Sequence, residues 1–259
     1  MARPFAHVAI TGASSGIGAA LADVHAAPKI RLALAGRNVQ RLEGVAERCR
    51  ARGAEVTTAI VDVTDAEAMA AWIAAADEVQ PLDLGYANAG LGGVRAIADP
   101  EGEPISIAHE MIGTNLIGVV NTVNPLLTRF CERRRGHVVL VGSLAANVGL
   151  PHSPIYCATK AAVATYAHAL RRLVATSGVQ VTLVEPGFVD TPMSEGVPQR
   201  GLMLWSAPQA AARIVRGVEA RQAVVRFPLP LALFIGLVRH LPRRVADALL
   251  TASYQRGRT

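Results

Sequence analysis

Tyr156 and Lys160 stand four residues apart in the run Tyr-Cys-Ala-Thr-Lys, thirteen residues after Ser143. Residues i and i+4 of a helix share a face, so this spacing would set a phenol beside an ammonium. A neighbouring positive charge favours the phenolate. A shift of about 2–3 units from the ~10 of a free tyrosine would bring the phenol into range for proton transfer at neutral pH. Lysine is scarce in this chain: of 26 basic residues only Lys29 and Lys160 are lysines. Arginine is a wide planar fork and lysine a compact point charge, which singles out a lysine one turn from a tyrosine. The four-residue pattern by itself favours an ordinary surface lysine, and the rest of the chain decides between the two.

A second constellation lies near the start. Thr11-Gly-Ala-Ser-Ser-Gly-Ile-Gly18 follows an apolar run and opens a helical pattern. Glycines at 12, 16 and 18 allow a tight turn and close approach of backbone to a pyrophosphate, while the helix N-terminus offers unpaired N–H groups to the anion. Between a strand and a helix such a loop is a strong dinucleotide signal. The next strand ends Leu34-Ala-Gly-Arg37-Asn38 with no acid to accept from a ribose and one arginine able to hold a phosphate. The pattern favours NADP(H), with Arg37 as main determinant and Ser15 or Asn38 as helpers. NAD(H) stays admissible, since Arg37 could instead cover the adenine or cap a helix.

The elements that must position these residues alternate along the chain. Apolar runs predict strands at 7–10, 30–35, 56–61, 82–87, 137–141 and 179–184. Helical patterns fall at 17–26, 39–50, 65–76 (with Thr64 as N-cap), 107–132 and 153–176. Gly85 weakens the fourth strand, and Pro125 predicts a kink in the long helix. Short apolar strands separated by helices imply right-handed crossovers and a parallel sheet covered on both faces. The fold class is therefore α/β, a Rossmann-type doubly wound sheet in a single domain, with residues 1–226 as the dinucleotide-binding catalytic part and 227–259 as a helical extension.

Composition narrows the function further. Hydrophobic residues make up 51% and charged residues 18%, which is globular and not disordered. The net charge of +6 is uneven: residues 200–259 hold ten arginines against Glu219 and Asp247. Those arginines are scattered over helices without interleaved aromatics, so nucleic acid is not an expected partner. Cys49, Cys131 and Cys157 form no CxxC pair or metal-ligand set, which suits free thiols in a reducing compartment. Cys157 points about 100° away from Tyr156 around the helix. His109, His137 and His168 lack metal-ligand spacing. No signal peptide is read at the start, and a cytoplasmic location is expected.

Taken together these residues resemble the short-chain dehydrogenase/reductase family over nearly all of 7–192. The resemblance is carried by Thr11–Gly18, Asp62 after the third strand, Asn88-Ala-Gly90 after the fourth, Asn115, Ser143, Tyr156, Lys160, and Pro186-Gly187 through Thr191. The glycine spacing resembles the short oxidoreductase branch. The four-residue tyrosine–lysine interval is unlike the enoyl-reductase variant. Two departures, Ala87 beside Asn88 and Gly142 beside Ser143, remove no functional group. The resemblance implies that Tyr156 exchanges a proton with a carbonyl or alcohol oxygen and that Ser143 holds that oxygen. Lys160 would lower the tyrosine pKa and bond the nicotinamide ribose, and Asn115 would steady a water linking Lys160 to solvent. It further implies a cofactor held by Gly12, Ser14, Ser15, Gly16, Ile17 and Gly18. Asp62 and Val63 would flank the adenine. Asn88, Ala89 and Gly90 would line the ribose, and Pro186, Gly187, Val189 and Thr191 the nicotinamide. No metal is required. A homodimer or homotetramer paired through the helices of Asn115 and Tyr156 is expected.

The substrate side is apolar in composition. Phe188, Met193, Leu202, Met203, Leu204 and Trp205 follow Gly187, and a hydrophobic ketone or alcohol suits them. Met203 and Trp205 form either a lid or an anchor on the core, and His152 could touch substrate. The tail from Phe227 to Val238 carries no charge, but twelve residues of helix span only ~18 Å, short of the ~30 Å of a hydrocarbon core. Leu231, Phe234, Ile235, Val238 and Leu241 follow helical spacing to Pro242, and Val245, Ala248 and Leu249 resume it beside Arg239, Arg243 and Arg244. Either helices packed on the domain or a partner subunit, or peripheral contact of residues 227–250 with an anionic membrane, fits this pattern. The competing functional reading is a catalytically silent nucleotide sensor or scaffold, for which the tyrosine–lysine pair has no use.

Overall fold

The computed structural model describes residues 5–92, 102–151, 153–194 and 203–255. The apolar runs become the strands β1 (His7–Thr11), β2 (Arg31–Gly36), β3 (Glu55–Ile60), β4 (Leu84–Ala87), β5 (Gly136–Val141) and β6 (Val179–Pro186). The helices between them are α1 (Gly16–His25), α2 (Val39–Ala51), α3 (Ala66–Val79), α4 (Ile105–Ile112), α5 (Gly118–Glu132) and α6 (Pro154–Leu173). Two-residue strands β7 (Val189–Asp190) and β8 (Trp205–Ser206) pair with each other. They are followed by α7 (Ala207–Glu219), β9 (Val224–Phe227), α8 (Leu229–His240) and α9 (Arg243–Gln255).

The main sheet has seven parallel strands in the order β3-β2-β1-β4-β5-β6-β9. Side chains alternate across it, as a two-residue period requires. Val8, Ile10, Leu32 and Leu34 face a layer made by α1, α2 and α7, with Leu21, Leu42, Val45 and Ile214 filling it. Ala9, Ala33, Val138 and Leu140 face the opposite layer of α3, α5 and α6, built on Ile73, Val123, Leu126, Phe130, Val163 and Leu170. Each buried Val, Leu, Ile or Phe side chain among these contributes roughly 1.5–3 kcal/mol. The order reverses between β1 and β4, the position where an open α/β sheet parts its loops into a crevice at the strands' C-terminal ends.

Four local details correct or refine the expectations. The N-cap of α3 is Asp65, whose carboxylate accepts from Ala68 N at 2.9 Å, and not Thr64, which instead bonds Asp62. The long helix expected at 107–132 is present as a continuous helical run from Ile105 to Glu132, but it widens into a π turn at Gly113–Ile117, while Pro125 lies within α5. A seventh strand, β9, extends the sheet beyond β6; its four residues include Arg226 and are too few to show alternation in the sequence. The tail forms two helices separated at Pro242, as the spacing predicts; α8 packs on β9 and on the turn Leu144–Asn147, while the described side chains of α9 are mostly exposed.

Candidate active site

The crevice at the strand reversal is built from the loops after β1 and β4. Thr11 ties them together: its Oγ1 donates to Tyr86 O at 3.1 Å and accepts from Asn88 N at 3.1 Å and Ala89 N at 3.2 Å. Asn88 returns a bond from its amide to Thr11 O at 2.9 Å. Thr11 opens the glycine-rich motif without being one of the expected binding residues; a hydroxyl ending a buried strand is the signal that marks it. Gly12 has φ +65°, and a Cβ there would stand 2.8 Å from Ala89 Cα. Only glycine meets both conditions. Helix α1 begins immediately beyond, and the side chain of its N-cap, Ser15, does not bond the first turn. Bare backbone and N–H groups at a helix start fit an anion such as a pyrophosphate. Gly16 faces Thr191, at 3.1 Å from the Thr191 methyl to a built Cβ, so the loop after β6 closes on the glycine loop. Ser14 lies against Gly36 at the end of β2, while Ile17 packs into the core.

At the rim, Arg37 forms an exposed ion pair with Asp62 at 3.3 Å. Burial pushes the Asp62 pKa up, but hydrogen bonds from Thr64 and the Arg37 charge outweigh it, and the net shift is downward. Asn38 caps α2, accepting from Arg41 N at 2.9 Å. Val63 is buried beneath this rim.

The second cluster lies on the other side of the crevice. The π turn carries Asn115, fully buried, with Oδ1 accepting from Leu91 N at 2.7 Å and Nδ2 donating to Leu91 O at 3.0 Å and Thr159 Oγ1 at 3.2 Å. It thereby clamps the chain just past Gly90, whose built Cβ would lie 3.3 Å from Asn115 Oδ1 and 3.4 Å from Lys160 Nζ. Thr159, not singled out in the sequence, links this clamp to α6 by donating to Tyr156 O at 2.8 Å. Ser143 N-caps the 3-10 turn Leu144–Asn147, accepting from Ala145 N at 3.1 Å, and its hydroxyl donates to Pro186 O at 3.5 Å. It stands near enough to the Tyr156 phenol to draw the phenol's pKa down. Gly92 is approached by both the Tyr156 ring and Met193: a Cβ built on it would lie 3.0 Å from the Tyr156 ring and 3.4 Å from Met193 Sδ.

The electrostatics depart from expectation. Lys160 is buried, and its ammonium donates to Val141 O at 3.0 Å while lying 5.8 Å from the Tyr156 ring centroid. Burial pushes Lys160 down to about 8. Tyr156 stands above its usual value: burial raises it, the nearby Ser143 hydroxyl draws it back, and Cys157 raises it again. The expected depression of the phenol by Lys160 is therefore not found. The cation is itself destabilised by burial and spends a proton on a carbonyl.

Pro186 ends β6, and Gly187 N donates to Phe227 O at 2.7 Å. Beside them Glu185, 1% exposed, accepts from Asn147 Nδ2 at 2.8 Å and pairs with Arg226. The only sequence signal for this trio is that Glu185 is the sole charged residue in β6. Val189 is buried and pairs with Trp205. Trp205 stacks on Phe227, with ring centroids 5.0 Å apart, and packs on the core, which makes it an anchor. Met203 and Met193 are partly exposed. His152 and Leu202 lie outside the described residues. His137 is buried against Thr182 at 2.8 Å, with burial pushing its pKa down to about 4. No metal-ligand cluster occurs among the described residues.

A parallel sheet whose strand reversal gathers a glycine loop on one side and a serine–tyrosine–lysine set on the other defines an NAD(P)-dependent α/β oxidoreductase. The family model for short chain dehydrogenase matches residues 6–200, and the chain belongs to that family. An uncharacterized oxidoreductase of Myxococcus xanthus is 35% identical over 242 residues, spanning 92% of this chain and 94% of the relative. An alcohol dehydrogenase from the archaeon Thermococcus sibiricus, solved with 5-hydroxy-NADP, superposes with a TM-score of 0.74 at 28% identity, covering 85% of this chain and 93% of that one. A short-chain dehydrogenase/reductase from Burkholderia phymatum, solved with NAD, shares the fold with a TM-score of 0.80 at 24% identity over 89% and 92% of the two chains.

Proposed function

We propose that the protein interconverts a carbonyl and a secondary alcohol on a hydrophobic small molecule, preferring NADP(H), with Tyr156 as general acid and base. The observation that carries this reading is the gathering of Ser143, Tyr156 and a buried Lys160 at the crevice, with the Lys160 ammonium 5.8 Å from the Tyr156 ring centroid. The cofactor supplies or accepts a hydride at its nicotinamide ring. In the reducing direction Tyr156 gives its proton to the substrate oxygen as negative charge gathers there, and Ser143 donates to the same oxygen. A phenol whose pKa is raised holds that proton at neutral pH, which suits reduction; oxidation requires the phenolate and gains with rising pH. Lys160 donates to the nicotinamide ribose, and Asn115 holds the Leu91 backbone that walls the pocket. Gly12, Ser14, Ser15, Gly16, Ile17 and Gly18 hold the pyrophosphate side. Asp62, Val63, Asn88, Ala89 and Gly90 hold the adenosine, and Pro186, Gly187, Val189 and Thr191 the carboxamide.

The preference for NADP(H) rests on Arg37 and on the absence of an acid at the end of β2. The Arg37–Asp62 pair is exposed on both sides, and such pairs are worth only about 0–1 kcal/mol, so Arg37 is readily surrendered to a 2′-phosphate. The 5-hydroxy-NADP bound by the archaeal relative is consistent with this choice. A hydrophobic substrate is supported by Met193 beside Tyr156 and by the partly exposed Met203. In this reading residues 1–226 are the catalytic domain, 227–259 an extension, and α4 to α6 pair subunits in a cytoplasmic homodimer or homotetramer. Exposed Ile112 at the end of α4 and Ile117 in the π turn supply apolar surface for such pairing.

The test is a panel of apolar and polar ketones assayed with NADPH and with NADH. The reading expects kcat/KM at least about tenfold higher with NADPH, and higher for apolar than for charged ketones. Equal values for the two cofactors, or turnover confined to small hydroxy acids, would remove those parts of it.

A further inference from the structure

Helix α8 leaves the sheet at β9 and packs on β9 and the 3-10 turn, with Val238 buried and Leu231 against Gly187. Its outer side is a stripe of Leu229, Leu233, Phe234 and Leu237, which are 64%, 74%, 51% and 63% exposed. Val245 and Leu249 continue the exposed apolar set on α9. Between the two runs, Arg239, His240, Arg243 and Arg244 are exposed, against one acid on these helices, Asp247. Six large apolar side chains in water on adjacent helices exceed the scattered exposure usual for a globular surface. Neither helix is long and apolar enough to cross a membrane.

We propose that α8 and α9 form a peripheral docking surface for an anionic lipid bilayer, with the leucine and phenylalanine stripe in the interface and the arginines at the headgroups. Charge decides between occupants. A second copy seated symmetrically on this face would bring two arginine clusters together, whereas an anionic headgroup layer neutralises them and accepts the apolar stripe. The surface lies beside the nicotinamide end of the site, because Leu231 abuts Gly187. Docking would therefore set the substrate mouth near the lipid. That orientation rests on the redox reading above; the docking itself does not.

The test is flotation of the full chain with vesicles of phosphatidylcholine alone and with added phosphatidylglycerol, at low and high salt. Binding is expected with the anionic vesicles, weakening with salt. A double variant, R239Q with R243Q, should lower partitioning by about 30-fold at roughly fivefold per arginine. Leu233→Ser with Leu237→Ser should lower it comparably, with the rate on a water-soluble ketone unchanged. Equal flotation of wild type and both variants, or none with anionic vesicles, would overturn the proposal. Light scattering supplies the other check: a fall in oligomer mass in the leucine variant would assign the stripe to a second copy and equally overturn it.

Discussion

The proposed chemistry turns on which protons Tyr156 and Lys160 keep. Lys160 sits with its ammonium buried against Val141 O and a pKa near 8, below the 10.5 of a free lysine. Between those values the unfolded chain holds a proton that the native chain has released, so native stability rises with pH through that window and the burial penalty is fully present below about 8. The unfolding free energy of the wild type, measured in urea relative to Lys160→Met, should shift by about 2–3 kcal/mol in favour of the wild type between about pH 7 and 10. A difference that does not change with pH would place that ammonium in water. Arg37 offers a separate test at the cofactor rim. Arg37→Ala should raise the KM for NADPH about tenfold to a hundredfold, through loss of charge-assisted bonds, and leave that for NADH nearly constant. A parallel loss for both cofactors would reassign Arg37 to the adenine. The residue types and spacing announced these positions, but the sign of the Tyr156 shift was not legible. It depends on how deeply the phenol and ammonium are buried and where Lys160 points, which a four-residue interval does not encode.

Elements matter here by what they aim. The π turn at Gly113–Ile117 sets Asn115 inward to hold both the N–H and C=O of Leu91, and Thr159 joins that clamp to the helix of Tyr156. Asn115→Ala should cost about 1–3 kcal/mol in unfolding free energy, because it strands buried partners. It should also lower kcat about tenfold or more as the wall beside Tyr156 loosens. A stability loss with unchanged kcat would make Asn115 structural only. Six strands and the main helices were readable from apolar runs and breakers, because a buried parallel strand is written as a nearly continuous apolar segment. The π turn was not, since it differs from an α-helix by one hydrogen-bond step and leaves no mark in the pattern. Strand β9 escaped for a different reason: its stability comes from pairing with β6 and from burying Val225 and Phe227, a tertiary effect. The Asp65 cap was a near miss, since neighbouring Thr64 has the same capping chemistry.

At the scale of the whole molecule, one strand reversal accounts for the convergence of residues as distant as Gly12, Asn115 and Tyr156. The order β3-β2-β1-β4-β5-β6-β9 parts the loops after β1 and β4, and the two helical layers lock those strands from either side. The basic excess after residue 200, visible as composition alone, acquires a direction only when α8 and α9 turn their apolar stripe outward. The proposed turnover would demand every part at once: dinucleotide in the crevice, carbonyl beside Ser143 and a proton on Tyr156. The most direct measurement is label transfer from NADPH carrying deuterium at the transferable C4 position, with an apolar ketone as acceptor and the alcohol analysed by mass spectrometry. The wild type should place deuterium on the carbinol carbon. Tyr156→Phe, binding NADPH undiminished by fluorescence, should do so about 10²–10⁴ times more slowly. Undiminished label transfer by Tyr156→Phe, or cofactor binding by the wild type with no labelled alcohol from any ketone, would contradict the account.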